Sequence, residues 1–554
     1  MSREETGRVM STVTELLFEQ PASTTTGLWS GSDTTELAFH SWEQVRSRAR
    51  RIAGGLANAG VEHGGSVAIL AGAPADVAAL VQATWLRGAA FTMLHQPTPR
   101  TNLETWVADT RAVVAMLGAA VIAVGEPFTA AVRDLDLGAP IVSVEELAAA
   151  TEVGPVPTAE DDIAILQLTS GTTGVPKAVA ISHGNVRQNQ HAMVAAAGFR
   201  PESDVVVSWL PLYHDMGMVG MMLTPMLAQA TTVITTPLAF LKSPLKWAEY
   251  ITRFGGTYTA APNFAYSLLA RRLKRAPEGA YDLSTLRVAV NGAEVIDEST
   301  LDEFVTQAAR FGLRPEAVMP AYGMAETTLA VSFAPVDEVF SVDVIDGEVA
   351  ERDGVARRDG IERPRSLAKL GAPVPGIELR VVDERGTVLP ADRIGSILVR
   401  GDAVTTRYLG PDGYASAVDA EGWLSTGDLG YVTESGEVVV TGRKKDVIIV
   451  AGRNIAPTVV ERAAGTVSGV RPGGVAAVAV RLPSMAREGI AVIAESDAAA
   501  DADAAERIRK EVARAVYDDV GIAPAVVTIV TKGALPKTPS GKLRRSLATS
   551  LIPA

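Results

Sequence analysis

The chain has 554 residues, 47% hydrophobic and 21% charged, with a formal net charge of −13 and no cysteine. That length exceeds one ordinary core and the balance is that of a globular protein, so two or more domains are expected. The composition excludes disulfides, thiol catalysis and thiolate metal sites, and the acidic surplus opposes nonspecific nucleic-acid binding. Trp42 to Ala59 places Val45, Ala49, Ile52, Ala53 and Leu56 at helical spacing and ends at Gly60, a C-cap residue. Val67–Leu70 then reads as a buried strand and Asp76 to Leu86 as a helix. The runs Val113–Leu117, Val121–Val124, Val205–Trp209, Val233–Thr235 and Leu286–Val290 read as further strands. This βα alternation predicts an α/β fold of largely parallel sheets covered by helices.

From about residue 370 short strands, Ile377–Val382, Gly395–Val399 and Glu437–Thr441, are separated by Gly, Pro and Asp turns, which predicts a small β-rich subdomain. After Gly442-Arg443-Lys444-Lys445-Asp446 the texture becomes that of a smaller α+β unit. Its predicted helices are Ala456–Val467 and Ala504–Val520, and its strands Val475–Val480, Ile490–Ala494 and Val526–Val530. No apolar stretch reaches the ~18 residues of a membrane span. The start, Ser2-Arg3-Glu4-Glu5, lacks the basic-then-apolar order of a signal peptide. A cytoplasmic protein without a membrane span is the default expectation. The six histidines, at 40, 63, 95, 183, 191 and 214, show no metal-ligand spacing.

The densest chemical signal is Thr169-Ser170-Gly171-Thr172-Thr173-Gly174-Val175-Pro176-Lys177, directly after the apolar run Ile163 to Leu168. Hydroxyls and glycine-freed N–H groups can surround anionic oxygens, and the lysine supplies a mobile cation. The spacing fits neither a Walker loop nor a GxGxxG turn. Five other segments carry weaker meanings. In Ala321-Tyr322-Gly323-Met324-Ala325-Glu326-Thr327 a ring able to stack on a purine precedes a carboxylate able to hold Mg²⁺, although the segment also reads as an ordinary turn. Ser425-Thr426-Gly427-Asp428 offers a carboxylate to a diol, or an Asp-stabilised turn. Gly442 to Asp446 is either a nucleotide contact or a solvated linker. Leu535-Pro536-Lys537-Thr538-Pro539-Ser540-Gly541-Lys542 can deliver a lysine to a phosphate, and Asn291-Gly292-Ala293-Glu294 can edge an adenine.

In this order, from about Leu37 to Arg545, the segments resemble the adenylate-forming superfamily of acyl-CoA synthetases, peptide-synthetase adenylation domains and luciferases. The resemblance implies an N-terminal adenylation domain over residues 1–442, a hinge at 443–446 centred on Lys445, and a small mobile C-terminal domain over 447–554. It implies ATP and Mg²⁺ as cofactors, with a carboxylic acid activated to acyl-AMP and then passed to a phosphopantetheine thiol. Thr169, Ser170, Gly171, Thr172, Thr173, Gly174 and Lys177 would hold the β- and γ-phosphates. Glu326 would bind Mg²⁺ and Thr327 touch the α-phosphate. Gly292, Ala293, Glu294, Tyr322, Gly323 and Met324 would frame adenine, with Asp428 and Arg443 on the ribose. Lys542 would bridge substrate carboxylate and phosphate, making Lys542, Thr172, Glu326 and His214 the expected catalytic set.

Ser208-Trp209-Leu210-Pro211-Leu212-Tyr213-His214-Asp215-Met216-Gly217, Thr259 to Tyr266, and Ala451-Gly452-Arg453-Asn454-Ile455-Ala456-Pro457 resemble the fatty acyl-AMP ligase branch. That branch typically delivers to an acyl carrier protein; free CoA is the alternative acceptor, release of acyl-AMP a third outcome, and a degenerate nucleotide-binding scaffold a fourth reading. Glu326 and Gly371 are 371 − 326 = 45 residues apart, leaving a charged stretch at about 336–366 that reads as an inserted element restraining domain motion or as a tolerated surface insertion. Ser396 and Gly65 depart from the superfamily pattern. Five of the thirteen methionines fall within residues 216–226. Met218, Gly220, Met221, Met222, Ala261 and Asn263 are the expected acyl pocket, reshaped for medium-chain or bulky apolar acids. The basic run Arg271-Arg272-Lys274-Arg275 reads as a solvated helix face.

Overall fold

The computed structural model describes residues 10–97, 101–169, 176–450, 452–481, 488–537 and 543–552. Buried β-branched strands and amphipathic helices assemble two eight-stranded sheets, a four-stranded sheet and a three-stranded sheet among these residues. One large sheet runs in the order 330–333, 318–323, 288–291, 258–261, 205–208, 231–234, 27–30 and 38–41. Its inner strands are parallel, with Ala261 level with Asn291 and Ile234 level with Ser208. Such an arrangement places ligands beyond the C-terminal strand ends. The other large sheet joins the parallel strands Ala90–Met93, Ser66–Leu70, Val121–Val124 and Ile141–Ser143 to an antiparallel hairpin, Ile163–Thr169 and Lys177–Ser182. The fold class is therefore mixed α/β, with a large N-terminal part and a smaller C-terminal one.

Local chemistry explains most element boundaries. Helix Trp42–Asn58 starts on a capping box, in which Ser41 Oγ accepts from Gln44 N–H and Gln44 reaches back to the Ser41 N–H. Val113–Leu117 is not a strand as the local pattern suggests: it is the last turn of helix Leu103–Leu117. Asn102 caps that helix through Thr105 N–H, and Gly118 ends it at φ +56°. Trp106, Thr110, Val114 and Leu117 form its buried face, so helical periodicity overrides two β-branched valines. The β-rich subdomain is the four-stranded antiparallel sheet 377–382, 395–401, 424–432 and 438–443. Residues from Ile448 onward carry their own core, with Ile455, Val460, Ile490, Val492, Val512 and Val516 all buried.

The Ile163–Ser182 hairpin feeds helix His183–Ala196, which is bolted to strand Ala330–Phe333 by Asn189, whose amide both donates to Ala330 O (3.0 Å) and accepts from Ala330 N–H (2.9 Å). His183 itself is fully buried against Trp85, with neither ring nitrogen hydrogen-bonded among the described residues. Burial holds its pKa down to about 4, against a partial pull upward from Asp162 and Glu160. Between about 4 and 6.5 the unfolded chain therefore binds the extra proton, so stability present above pH 6.5 is lost as pH falls. A loss of roughly 3 kcal/mol by pH 4 is expected from this group. Urea midpoints of His183→Leu should show a flatter decline over that interval than those of the parent; parallel declines would refute the assignment.

Candidate active site

The candidate site is built at the C-terminal ends of strands Tyr258–Ala261, Val288–Asn291 and Val318–Gly323, facing the edge of the four-stranded sheet. Tyr322, buried near the end of its strand, donates from its phenol to Asp428 Oδ2 at 2.5 Å. Arg443 Nε meets Asp428 Oδ1 at 2.8 Å, a pairing set by the register that puts Asp428 opposite Arg443. Asp428 is not at a turn: it lies inside strand Leu424–Val432, one residue after Gly427 at φ +75°. Burial and the neighbouring Asp428 carboxylate push the Tyr322 phenol well above its ordinary value, so it remains a donor.

Asn291-Gly292-Ala293-Glu294 forms the neighbouring turn. Ala293 adopts φ +70°, uncommon for a residue with a Cβ. A Cβ on Gly292 would lie 3.3 Å from Ala321 O, so the turn sits flush against the Tyr322 strand. Glu294 Oε1 accepts from Phe264 N–H (2.9 Å), and Asn263 Oδ1 accepts from the buried Asn291 amide (3.2 Å), tying this turn to helix Asn263–Leu273. Arg271, Arg272, Lys274 and Arg275 are exposed at that helix's far end.

Glu326 occupies a 3₁₀ turn, Ala325–Thr327, directly after Gly323 and Met324. Its Oε1 accepts from the Tyr408 phenol at 3.0 Å, and Lys177 Nζ lies 3.9 Å from the centre of the same Tyr408 ring. Glu326 Oε2 has no hydrogen bond among the described residues. One available hard oxygen beside a lysine fits Mg²⁺, which keeps most of its shell for phosphate and water. Thr327 is fully buried and its hydroxyl donates to Met324 O (2.9 Å), so it shapes the turn in this structure rather than presenting its oxygen outward. Thr169 pairs with Lys177 across the hairpin. Ser170, Gly171, Thr172, Thr173, Gly174 and Lys542 lie outside the described residues.

In the segment expected to line the acyl pocket, His214 Nδ1 approaches Asp215 Oδ1 at 2.6 Å, and residues Met216–Leu223 form a π-helix. π-turns are rare and concentrate at functional sites. The wider winding separates the methionines. Met216 and Met221 join Trp209, Phe240 and Ala261 in one core; Met218, Met222 and Met226 join the other large core. Met221 and Ala261 thus belong to one core and Met218 and Met222 to the other. Gly220 is held close to Leu329, whose Cδ2 would lie 3.0 Å from an added Cβ. Trp209 stacks on Phe240 with centroids 3.8 Å apart and rings nearly parallel at 9°.

Lys445 sits beside this sheet edge, its ammonium pKa lowered by burial and by the nearby Arg443 and Arg545 cations. Arg545 makes a fork to Glu461 (2.7 and 2.8 Å) and reaches Asp446 Oδ2 at 3.1 Å. Ser396, a departure from the superfamily pattern, accepts from Lys444 Nζ at 3.3 Å and so touches the linker directly. The 336–366 stretch folds as strands Val342–Asp346 and Pro364–Ala368 around helix Gly347–Asp353. The buried Glu351 of that helix receives both Arg365 and Arg453, the latter from strand Arg453–Ile455 beyond the linker. Neither Tyr408 nor Glu351 is signalled by its local sequence, because both meet their partners only through tertiary pairing.

A family model described as AMP-binding enzyme matches residues 30–409. The chain belongs to the AMP-binding enzyme family. A Mycobacterium tuberculosis relative of this family named as a ligase, Rv1013, is 48% identical over 548 residues, covering 98% of this chain and 100% of that one. The 4-hydroxyphenylalkanoate adenylyltransferase of Mycobacterium marinum is 32% identical, covering 91% of this chain and 84% of its own. Among solved structures, one from work on fatty acyl-adenylate ligases of E. coli and L. pneumophila matches with a TM-score of 0.88 at 28% identity, covering 98% and 97% of the two chains. This AMP-binding enzyme is accordingly an adenylate-forming ligase that resembles the fatty acyl-AMP ligase branch.

Proposed function

We propose that the enzyme activates an apolar carboxylic acid of medium chain length or bulky shape with Mg·ATP and transfers it to the phosphopantetheine thiol of a carrier protein. A carboxylate oxygen attacks the α-phosphorus, the α–β phosphoanhydride bond breaks, and pyrophosphate leaves. The thiol sulfur then attacks the acyl carbonyl, giving up its proton as AMP departs. The observation that carries this reading is the meeting of Lys177 and Glu326 on Tyr408, next to the Tyr322–Asp428–Arg443 cluster. A phosphate cation, a metal-binding carboxylate and a diol acceptor are the parts that an anion attacking a polyanion requires. Mg²⁺, held by Glu326, supplies charge neutralisation on the phosphates when bound.

Two features favour the finer points. The stacked Trp209–Phe240 pair beside Met221 and Ala261 fills volume on the acyl side, which disfavours a long straight chain. The Glu351 anchor between the 336–366 element and Arg453 restrains the C-terminal domain, which suits delivery to a tethered carrier thiol more than to free CoA. Relatives named for fatty acyl and for 4-hydroxyphenylalkanoyl substrates bracket this acid class.

Acid-dependent ATP–pyrophosphate exchange over a panel of straight-chain, branched and aryl acids is the first test, followed by transfer to CoA and to a phosphopantetheinylated carrier in parallel. Medium-chain or bulky acids should give the highest kcat/KM, by about tenfold over palmitate, the scale of a few methylenes in a closed pocket. A preference for palmitate refutes the pocket assignment, and transfer to CoA at the carrier's rate refutes the acceptor.

A further inference from the structure

Strand Arg407–Gly410 is the second strand of the second large sheet, lying between the edge strand Gly413–Ser416 and the strand that begins at Lys177, and it pairs antiparallel with both. Tyr408 lies opposite Val179, so its side chain shares a sheet face with Lys177, two residues earlier. This diagonal placement puts the Lys177 ammonium over the Tyr408 ring, 3.9 Å from its centre. The phenol at the far end of the ring reaches Glu326 Oε1 at 3.0 Å. The backbone beside it is tied to the same turn: Thr405 N–H donates to Glu326 O at 2.8 Å, and Thr328 Oγ1 donates to Ala403 O at 3.0 Å. Thr405 Oγ1 also donates to Ala180 O on the Lys177 strand.

We propose that Tyr408 is a positioning residue that aims the Glu326 carboxylate at magnesium and holds the Lys177 ammonium at the phosphates through one ring. The inference rests on the adenylation reading above. With Oε1 engaged by the phenol, the carboxylate cannot rotate freely, and Oε2 is left as the oxygen available to the ion. The ring face simultaneously limits where the lysine can travel. One side chain therefore fixes the relative placement of the metal-binding group and the phosphate cation, which come from different sheets.

The test uses the full-length enzyme. Tyr408→Phe keeps the ring under Lys177 but removes the O–H···Oε1 bond. It should raise the Mg²⁺ concentration for half-maximal exchange by about tenfold, the scale of one hydrogen bond to a charged group, while kcat at saturating Mg²⁺ stays within about twofold. Calorimetric titration of ATP at several Mg²⁺ concentrations, with no acid present, should show the same shift. Tyr408→Leu should add weaker pyrophosphate binding in the reverse reaction, which Tyr408→Phe does not share. In a Glu326→Gln background, Tyr408→Phe should no longer move the Mg²⁺ dependence, since the two changes act through one contact. An unchanged or lower half-saturating Mg²⁺ in Tyr408→Phe, with equal melting temperatures, overturns the proposal, as does additivity with Glu326→Gln. Absence of acid-dependent exchange in the parent enzyme would instead overturn the adenylation reading itself.

Discussion

Lys542→Ala is expected to lower acid-dependent ATP–pyrophosphate exchange by roughly 10²–10³-fold, the usual cost of removing one preorganised charge donor. Its flanks are well anchored although Lys542 lies outside the described residues. Lys537 bridges to Leu543, Arg544 N–H donates to Pro536 O at 2.9 Å, and Lys537 Nζ donates to Gly473 O at 3.1 Å. Residues 537 and 543 therefore sit side by side on the small domain. On the proposed mechanism its lysine neutralises charge between attacking carboxylate and α-phosphate only while the acyl-AMP bond forms. Thioester formation from pre-made acyl-adenylate should consequently fall by less than about tenfold. Near-normal exchange in the variant would sink the assignment, and equal losses in both half-reactions would show a structural defect.

Glu351→Ala is expected to destabilise the protein by about 3–5 kcal/mol, because it leaves the buried Arg365 and the partly buried Arg453 guanidinium groups without their counter-charge. Glu351 is 3% exposed and is shared by Arg365, on the same inserted element, and Arg453, beyond the linker. Weaker contacts surround it: Arg363 Nη1 to Asp519 O at 3.4 Å and Arg462 to Asp519 at 3.6 Å. The ion triad is thus the main polar tie between the two parts at this face. Its loss should also raise amide exchange in strand Arg453–Ile455 and increase transfer to free CoA relative to carrier protein. Glu351→Gln, which keeps shape and one acceptor oxygen, should show a smaller effect on melting. A change under about 0.5 kcal/mol in Glu351→Ala, within the range of an ordinary surface substitution, would remove the anchor from the proposal.

The sequence was most legible where one local pattern decides the outcome. Strands such as Val121–Val124 and Val475–Val480 and helix Ala502–Val520 follow from β-branched runs and amphipathic spacing. Val113–Leu117 was misleading because its valines belong to a helix capped eleven residues upstream at Asn102. Asp428 reads as a turn residue from Ser-Thr-Gly-Asp, yet lies in a strand because its pairing with Arg443 is non-local. The methionine cluster reads as one pocket, but the π-helix turns its members toward two cores. Tyr408 carries no local signal at all: its meaning comes from a strand paired beside the Lys177 strand and a turn brought over from the other sheet.

Arg545 adds a mechanical consequence. It follows Lys542 by three residues and is fastened both to Glu461 in helix Pro457–Gly465 and to Asp446, the neighbour of Lys445. Were the linker to pivot at Lys445, Arg545 and helix Pro457–Gly465 would turn with it like a handle keyed to its axle. A torsional step at the linker would then reach Arg545 directly rather than be absorbed by side-chain play.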